Sequence, residues 1–207
     1  MRGRTALVTA PTFSEYEQAL RASDCEIRSF TLDAETDFTV TETLLERIHP
    51  GLDLLFLCEP NNPTGRTTPR PLLQRILERC AQCGTLLVAD ECFNAFLDDP
   101  AAHTLLNELS GHPNLLILRA FTKWYGMAGL RLGYALCADE ALLERMRLCG
   151  QPWAVSTPAQ AAGRAALDEK AYSEQLRALI AAERPRMREK LLAMGCRVVQ
   201  GEANYLL

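Results

Sequence analysis

A lysine and an arginine lie close together after a short apolar run. The run is Leu115 to Leu118; Lys123 follows it, and Arg131 comes eight residues later in a glycine-containing stretch. Four consecutive apolar residues are typical of a strand that is buried on both faces, and open α/β sheets bind ligands at the edge where such strands end. A lysine can form an imine with a carbonyl group, and an arginine suits a phosphate. The stretch therefore places an imine-forming lysine near a candidate phosphate ligand.

Two more polar side chains follow predicted buried strands. Asn62 lies in a turn after residues 54–58, and Asp90 follows residues 85–89. The turn places Asn62 at the same sheet edge as Lys123, although by itself it could be an ordinary tight loop. Burying a carboxylate such as that of Asp90 is costly unless a cation pairs with it, so this position indicates a cationic partner. The alternative interpretation is that Asp90 only caps the turn that follows.

Three motifs occur in a fixed order along the chain. They are Asn61-Asn62-Pro63-Thr64-Gly65, then Asp90-Glu91-Cys92-Phe93, then the run F-T-K-W-Y-G-M-A-G-L-R-L-G-Y around Lys123. With these motifs the chain resembles fold-type I pyridoxal-phosphate enzymes of the class I/II aminotransferase family. Within that family it looks most similar to the branch of threonine-phosphate decarboxylases and histidinol-phosphate aminotransferases. Family members are longer, so segments are expected before Met1 and after Leu207.

The resemblance implies a role for each candidate residue. The implied cofactor is pyridoxal 5'-phosphate; Lys123 would bind it covalently and then act as the acid or base at the substrate Cα. Asp90 would pair with the pyridine nitrogen and keep it protonated. Asn62 would donate a hydrogen bond to the phenolic oxygen, and Thr122 and Arg131 would bind the phosphate. Phe13 would lie flat against the ring; the alternative for Phe13 is an ordinary position in the core.

Two positions depart from the family pattern. Many relatives carry tyrosine three residues after the aspartate, where this chain has Phe93, so Asn62 would hold the phenolic oxygen alone or with water. Relatives often carry serine or threonine three residues before the lysine, where this chain has Ala120. Thr122 remains available as a hydroxyl ligand for the phosphate.

Alternating strand and helix patterns predict an α/β fold. The expected architecture is a three-layer α/β/α large domain with a mostly parallel sheet in residues 1–169, followed in residues 170–207 by a linker helix and the start of a small α/β domain. The linker helix is predicted from Ala171 to about Met194, with a kink or a break at Pro185. Other expectations are a capping box at residues 14–17, a helix at residues 41–49 and small-domain strands at residues 196–200 and 204–207.

Composition favours small-molecule chemistry over other classes. The chain has 207 residues, 48% of them hydrophobic, with a formal net charge of -4, which argues against nucleic acid or anionic lipid as a partner. No apolar run is long enough for a membrane span, and a cytoplasmic location is expected. The eight cysteines are expected to be free thiols, and Cys80 and Cys83 to be structural and not a metal or redox site.

These observations predict a pyridoxal-phosphate transaminase acting on an amino acid with a phosphorylated or anionic side chain, similar to histidinol-phosphate aminotransferase. The alternatives are a threonine-phosphate decarboxylase of cobalamin biosynthesis and a non-catalytic fragment that lacks part of the site. A Rossmann-type nucleotide-binding protein is disfavoured because no G-x-G-x-x-G turn joins a strand to a helix. The resemblance implies a homodimer when the protein is complete. Substrate identity stays open, since the arginine that holds the substrate carboxylate is expected beyond Leu207.

Overall fold

A six-stranded sheet forms the centre of the protein in the computed structural model, which describes residues 3–207. Met1 and Arg2, where the predicted large domain begins, lie outside the described residues. The strand order is β2-β1-β3-β4-β5-β6, with the first five strands parallel and β6 antiparallel to β5. The strands are β1 (Thr5–Ala10), β2 (Glu26–Thr31), β3 (Leu54–Cys58), β4 (Leu86–Asp90), β5 (Leu115–Ala120) and β6 (Gly133–Cys137).

Helices connect the strands and cover both faces of the sheet. They are α1 (Glu15–Ala22), α2 (Arg70–Cys83), α3 (Phe121–Trp124), α4 (Glu140–Cys149), α5 (Thr157–Asp168) and α6 (Lys170–Ala193). Short 3-10 turns lie at Ala34–Thr36, Glu42–Arg47, Asn94–Phe96, Leu106–Gly111 and Ala128–Leu130.

Two apolar clusters form the core, one on each side of the sheet. On one side α2 packs its apolar face, including Leu73 and Ile76, against strand residues such as Leu55. On the other side α1 packs Tyr16 and Leu20 against the opposite faces of the same strands. Side chains alternate across a strand, so strands buried on both faces must be apolar throughout, as β3 is. The arrangement confirms the predicted three-layer α/β/α fold with a mostly parallel sheet.

The local structure differs from several expectations. Ser14 precedes α1 but makes no side-chain capping bond, so the predicted capping box is wrong. The predicted helix at residues 41–49 is a 3-10 helix, Glu42–Arg47. Helix α6 runs through Pro185, so the predicted break does not occur there and the predicted kink stays a prediction.

The two predicted strands after residue 195 are also absent. A hydrogen bond from the Val199 amide to the Leu207 carbonyl, 2.7 Å, joins the two segments. Neither segment forms a ladder with a neighbouring strand within residues 3–207. A strand is stable only when a neighbour accepts its main-chain hydrogen bonds, which an apolar pattern alone does not supply.

The cysteines agree with a simpler expectation. All eight cysteines are free, as predicted. In the part of the chain that the structure describes, none of the helices is both long and apolar enough to cross a bilayer.

Candidate active site

One cavity of about 290 Å³ collects every residue that the sequence singled out for the site. It opens at the edge of the sheet where the parallel strands end. Its volume is close to the lower end of the range for small-molecule sites, about 300–1,000 Å³. The lining residues are Phe13, Tyr16, Cys58, Asn62, Asp90, Cys92, Phe93, Ala120, Thr122, Lys123, Arg131, Leu132 and Gly133.

Strand ends bring these side chains together. Asp90 is the last residue of β4 and pairs in register with Cys58, the last residue of β3. Asn62 lies in the turn after β3, and Lys123 lies in the single helical turn of α3, directly after β5. Because parallel strands end at one edge, residues that are far apart in the sequence share one cavity.

The Asp90 carboxylate accepts hydrogen bonds on both oxygens. The Tyr16 hydroxyl donates to Oδ2 at 2.6 Å, and the Cys92 amide donates to Oδ1 at 3.0 Å. Two donors hold the carboxylate in one orientation. Tyr16 was not predicted as a site residue, although it lies only three residues after Phe13, which was.

Lys123 presents its amine to the cavity. Among residues 3–207 it makes no hydrogen bond or ion pair, and its Nζ lies 5.7 Å from the centre of the Phe93 ring. An ammonium group is attracted to the face of an aromatic ring at this distance. Phe93 is held in turn by an edge-on contact with Tyr205, with ring centres 5.1 Å apart. Phe93 thus supports the lysine at the position where relatives carry a tyrosine hydroxyl.

Arg131 has an unusual backbone conformation. Its φ of 54° and ψ of 50° lie in the left-handed region, which costs a residue other than glycine about 1–3 kcal/mol. Its guanidinium donates to the Ala128 carbonyl at 3.0 Å and otherwise lines the cavity. Thr122 lines the same cavity, and within the described residues its hydroxyl has no protein partner. The two predicted phosphate ligands therefore remain available to an anion.

The turn that carries Asn62 is held by its neighbour Asn61, which is 4% exposed. The Asn61 side chain donates to the Pro11 carbonyl and to Thr64 Oγ1, both at 3.0 Å, and accepts from the Thr12 hydroxyl at 2.7 Å. These bonds tie the turn to the segment after β1. Sequence reasoning gave Asn61 no role of its own, because its partners at Pro11 and Thr12 are about fifty residues away.

Phe13 lies at the mouth of the cavity and is 41% exposed. Its ring contacts the Tyr16 ring edge-on, with centres 5.5 Å apart. This exposure excludes the alternative that Phe13 is an ordinary core residue, and it leaves one ring face free to cover a planar ligand.

Two thiols line the cavity without being suited to nucleophilic chemistry. Burial raises the pKa of Cys58 to about 12, and burial with the nearby Asp90 raises the pKa of Cys92 further. Since the thiolate is the reactive form of cysteine, both groups stay protonated and unreactive near neutral pH. The cavity thus offers one free amine, one fixed carboxylate, a guanidinium and a hydroxyl for chemistry.

Comparison with known proteins agrees with this geometry. The family model described as aminotransferase class I and II matches residues 1–207. The chain is 39% identical over 208 residues to the threonine-phosphate decarboxylase of Salmonella typhimurium, covering 100% of this chain and 57% of that protein. It is 34% identical over 200 residues to the histidinol-phosphate aminotransferase of Nitratidesulfovibrio vulgaris, covering 95% of this chain and 52% of the relative.

A solved structure has the same fold. The histidinol-phosphate aminotransferase of Clostridium acetobutylicum superposes with a TM-score of 0.90 at 24% identity, over 97% of this chain and 60% of that chain. This chain spans about half the length of the relatives that it matches.

Proposed function

The chain belongs to the class I and II aminotransferase family, whose cofactor is pyridoxal phosphate, and we propose that the cavity binds this cofactor through Lys123. One observation carries the proposal: the single cavity that holds the free Lys123 amine also contains the Asp90 carboxylate and the Thr122–Arg131 pair. An amine for an aldehyde, an anion for a pyridinium nitrogen and a cation with a hydroxyl for a phosphate match three of the four polar parts of pyridoxal phosphate.

The protein groups would divide the work of binding. When bound, pyridoxal phosphate supplies an aldehyde that condenses with amines and a ring that accepts the electron pair of a bond broken at the substrate Cα. Asp90 holds a proton on the ring nitrogen through a charge-assisted hydrogen bond. Arg131 and Thr122 bind the phosphate, Asn62 donates to the phenolic oxygen, and Phe13 excludes water from one ring face.

Lys123 has a second role in the proposal. Its ε-amine, which lines the cavity, would be the base or acid that moves a proton at the substrate Cα. Phe93 holds the amine over its ring without accepting a proton, so the group remains available for transfer.

The complete protein is proposed to act on a phosphorylated amine or amino acid, the substrate class that both relatives' names share. Decarboxylation of threonine phosphate is favoured by the higher identity to the decarboxylase over the whole chain, 39% against 34%. Transamination of histidinol phosphate, which sequence reasoning placed first, is the second candidate because several relatives carry that name. A homodimer and a cytoplasmic location are proposed with it.

Cofactor attachment is tested by reduction and mapping. Protein from the complete reading frame is incubated with pyridoxal phosphate, reduced with borohydride, digested and analysed by mass spectrometry. We expect the pyridoxyl group on Lys123, and no label above background in a Lys123→Arg variant. Lys170 and Lys190, in helix α6 away from the cavity, serve as internal controls. A label on either of them, or none at all, would overturn the proposal.

The reaction is tested with two substrates in parallel. The same protein is given threonine phosphate alone, and separately histidinol phosphate with 2-oxoglutarate. Carbon dioxide from the first mixture identifies a decarboxylase, and glutamate from the second identifies a transaminase. Turnover of neither substrate, by protein that carries the label on Lys123, rejects both reactions and leaves cofactor binding in place.

A further inference from the structure

We propose that Tyr16 is a positioning residue for Asp90, whose hydroxyl fixes the carboxylate in the orientation that a ring nitrogen in the cavity requires. The inference rests on the proposed function only for the identity of that ring. The contact itself is a property of this chain and is tested separately below.

The first argument is the hydrogen bonding of Asp90. A carboxylate at the end of a strand can rotate about its Cβ–Cγ bond unless both oxygens are held. Here the main chain holds only Oδ1, through the Cys92 amide at 3.0 Å. The Tyr16 hydroxyl, at 2.6 Å from Oδ2, supplies the second anchor. An ionised carboxylate has about four lone-pair positions, so two donors leave capacity for a third in the cavity.

The second argument is that Tyr16 is itself held rigidly. It is 7% exposed, its ring stacks on Phe56 with centres 5.2 Å apart and planes inclined by 29°, and Phe13 contacts it edge-on. Burial, and then the neighbouring Cys58 and Asp90, raise the pKa of the Tyr16 phenol far above its ordinary value. The hydroxyl therefore keeps its proton at any pH the protein tolerates and acts as a permanent donor.

The other groups near Asp90 do not duplicate this contact. Tyr205, from the segment after α6, donates its hydroxyl to the Asn61 carbonyl at 3.0 Å. Cys58, at the end of β3, directs its thiol to the Pro60 carbonyl at 3.3 Å.

The remaining neighbours are a thiol and an amine. The Cys92 thiol also interacts with the Asp90 carboxylate, but a thiol is only a weak hydrogen-bond donor. Lys123 reaches the same cavity from α3, without a hydrogen bond to Asp90 in the described residues. Tyr16 is thus the strong side-chain donor to Asp90 within residues 3–207.

A double-mutant cycle separates an action through Asp90 from a direct contact with the ligand. The variants are Tyr16→Phe, Asp90→Asn and the double variant, made in the complete protein. Phenylalanine keeps the ring that stacks on Phe56, so the variant loses only the hydroxyl. Tyr134→Phe is the control for loss of a tyrosine hydroxyl, since Tyr134 is 45% exposed and does not line the cavity. Pyridoxal phosphate affinity is measured by titration of its visible absorption band.

We expect Tyr16→Phe to weaken cofactor binding about tenfold in the native background, as befits loss of a hydrogen bond to a charged group. In the Asp90→Asn background the same change should weaken binding less than about twofold, because the group that it positions is gone. Equal weakening in both backgrounds would mean that Tyr16 contacts the ligand directly, and would overturn the inference. So would an effect of Tyr134→Phe as large as that of Tyr16→Phe.

A second measurement needs no cofactor. Urea unfolding of the cofactor-free variants completes the same cycle, and the effects of Tyr16→Phe and Asp90→Asn on stability should be clearly non-additive. Additive effects would refute the contact. If the native protein shows this coupling but binds no pyridoxal phosphate, the proposed function fails while the pairing of Tyr16 with Asp90 stands.

Discussion

A buried glutamate beside the cavity gives the protein a pH-dependent stability that one substitution should remove. Glu59 follows β3, is 2% exposed, and accepts hydrogen bonds from the Thr68 amide at 2.9 Å and from the Thr68 hydroxyl. A second buried carboxylate, Glu91, lies near it, and Arg119 pairs with Glu91 and not with Glu59. Burial first, and then the charge of Glu91, raise the pKa of Glu59 from 4.5 to about 8.

The sign of the effect follows from the direction of this change. Between pH 4.5 and about 8 the folded protein keeps a proton on Glu59 that the unfolded chain has released. The contribution of Glu59 to the free energy of unfolding is therefore largest below pH 4.5, falls as the pH rises through this interval, and levels off once the folded carboxyl is also ionised. At about 1.4 kcal/mol per pH unit, the loss attributable to Glu59 is at most about 5 kcal/mol.

Glu59→Gln should remove this loss. The amide group can still accept from the Thr68 amide and can donate to the Thr68 hydroxyl, so the local bonds persist without a charge. The variant should match the native protein near pH 4.5 and exceed its unfolding free energy by several kcal/mol near pH 9. Urea unfolding across that pH range measures the difference, and Glu46→Gln at an exposed position is the control. The reasoning would be refuted if the free energies of unfolding of the native protein and of Glu59→Gln changed with pH in parallel. It would also be refuted if Glu59→Gln were less stable than the native protein at pH 9.

Three further predictions concern packing and assembly. Gly201→Ala should lower the free energy of unfolding, measured in urea, by about 1–3 kcal/mol, because the new Cβ would lie 2.9 Å from the Gly65 Cα. Gly111→Ala is the control: its Cβ would meet nothing within 4 Å, so the change should be close to neutral. Arg184→Ala should lower the free energy of unfolding by about 2–3 kcal/mol, because the Arg184 side chain is mostly buried and donates to the Phe96 and Ala203 carbonyls. Arg186→Ala, on the same helix, removes only an exposed ion pair and should change the free energy of unfolding by less than about 1 kcal/mol. The complete protein should be a homodimer by light scattering, and a monomer that is fully active would contradict this.

The sequence predicted best what depends on short patterns. The apolar runs of β3, β4 and β5 are buried strands where the pattern placed them, and the polar residues after them meet in one cavity. Each such strand carries its own signal, and the rule that parallel strands share an edge supplies the rest. The roles of individual residues in that cavity, and the division at residue 169, stay predictions.

The sequence could not predict contacts between distant residues. Tyr16 and Asp90 are separated by 74 positions, and nothing in either segment identifies the other as its partner. Thr68 lies just before α2, and its amide and hydroxyl both donate hydrogen bonds to Glu59, nine residues earlier, a pairing that neither segment indicates. The apolar residues after Cys196 have the pattern of a strand, but whether they form one depends on neighbouring strands, which a local pattern does not specify.

The segment after α6 bears on the site in a way that the predicted domain division did not anticipate. Residues 199–205 lie in the predicted second part of the chain, but they pack directly on the turn that carries Asn62. Gly65 and Gly201 approach so closely that a side chain on either would meet the other's backbone, and the Glu202 amide donates to the Gly65 carbonyl at 2.9 Å. Tyr205 adds its hydroxyl bond to the Asn61 carbonyl.

These contacts add to those from Pro11 and Thr12, so two separate segments of the chain hold the turn that carries Asn62. Gly65 has a φ of 68°, which a residue with a Cβ adopts only at a cost, and the space above it is filled by backbone from Gly201. Glycine is therefore required at Gly65 for two independent reasons. A shift of residues 199–205 would be transmitted through rigid main-chain contacts to the turn and hence to Asn62, because neither glycine has a side chain that could yield. The proposed cofactor site thus depends on both predicted parts of the chain, and the position of the second part is one of the variables that set its geometry.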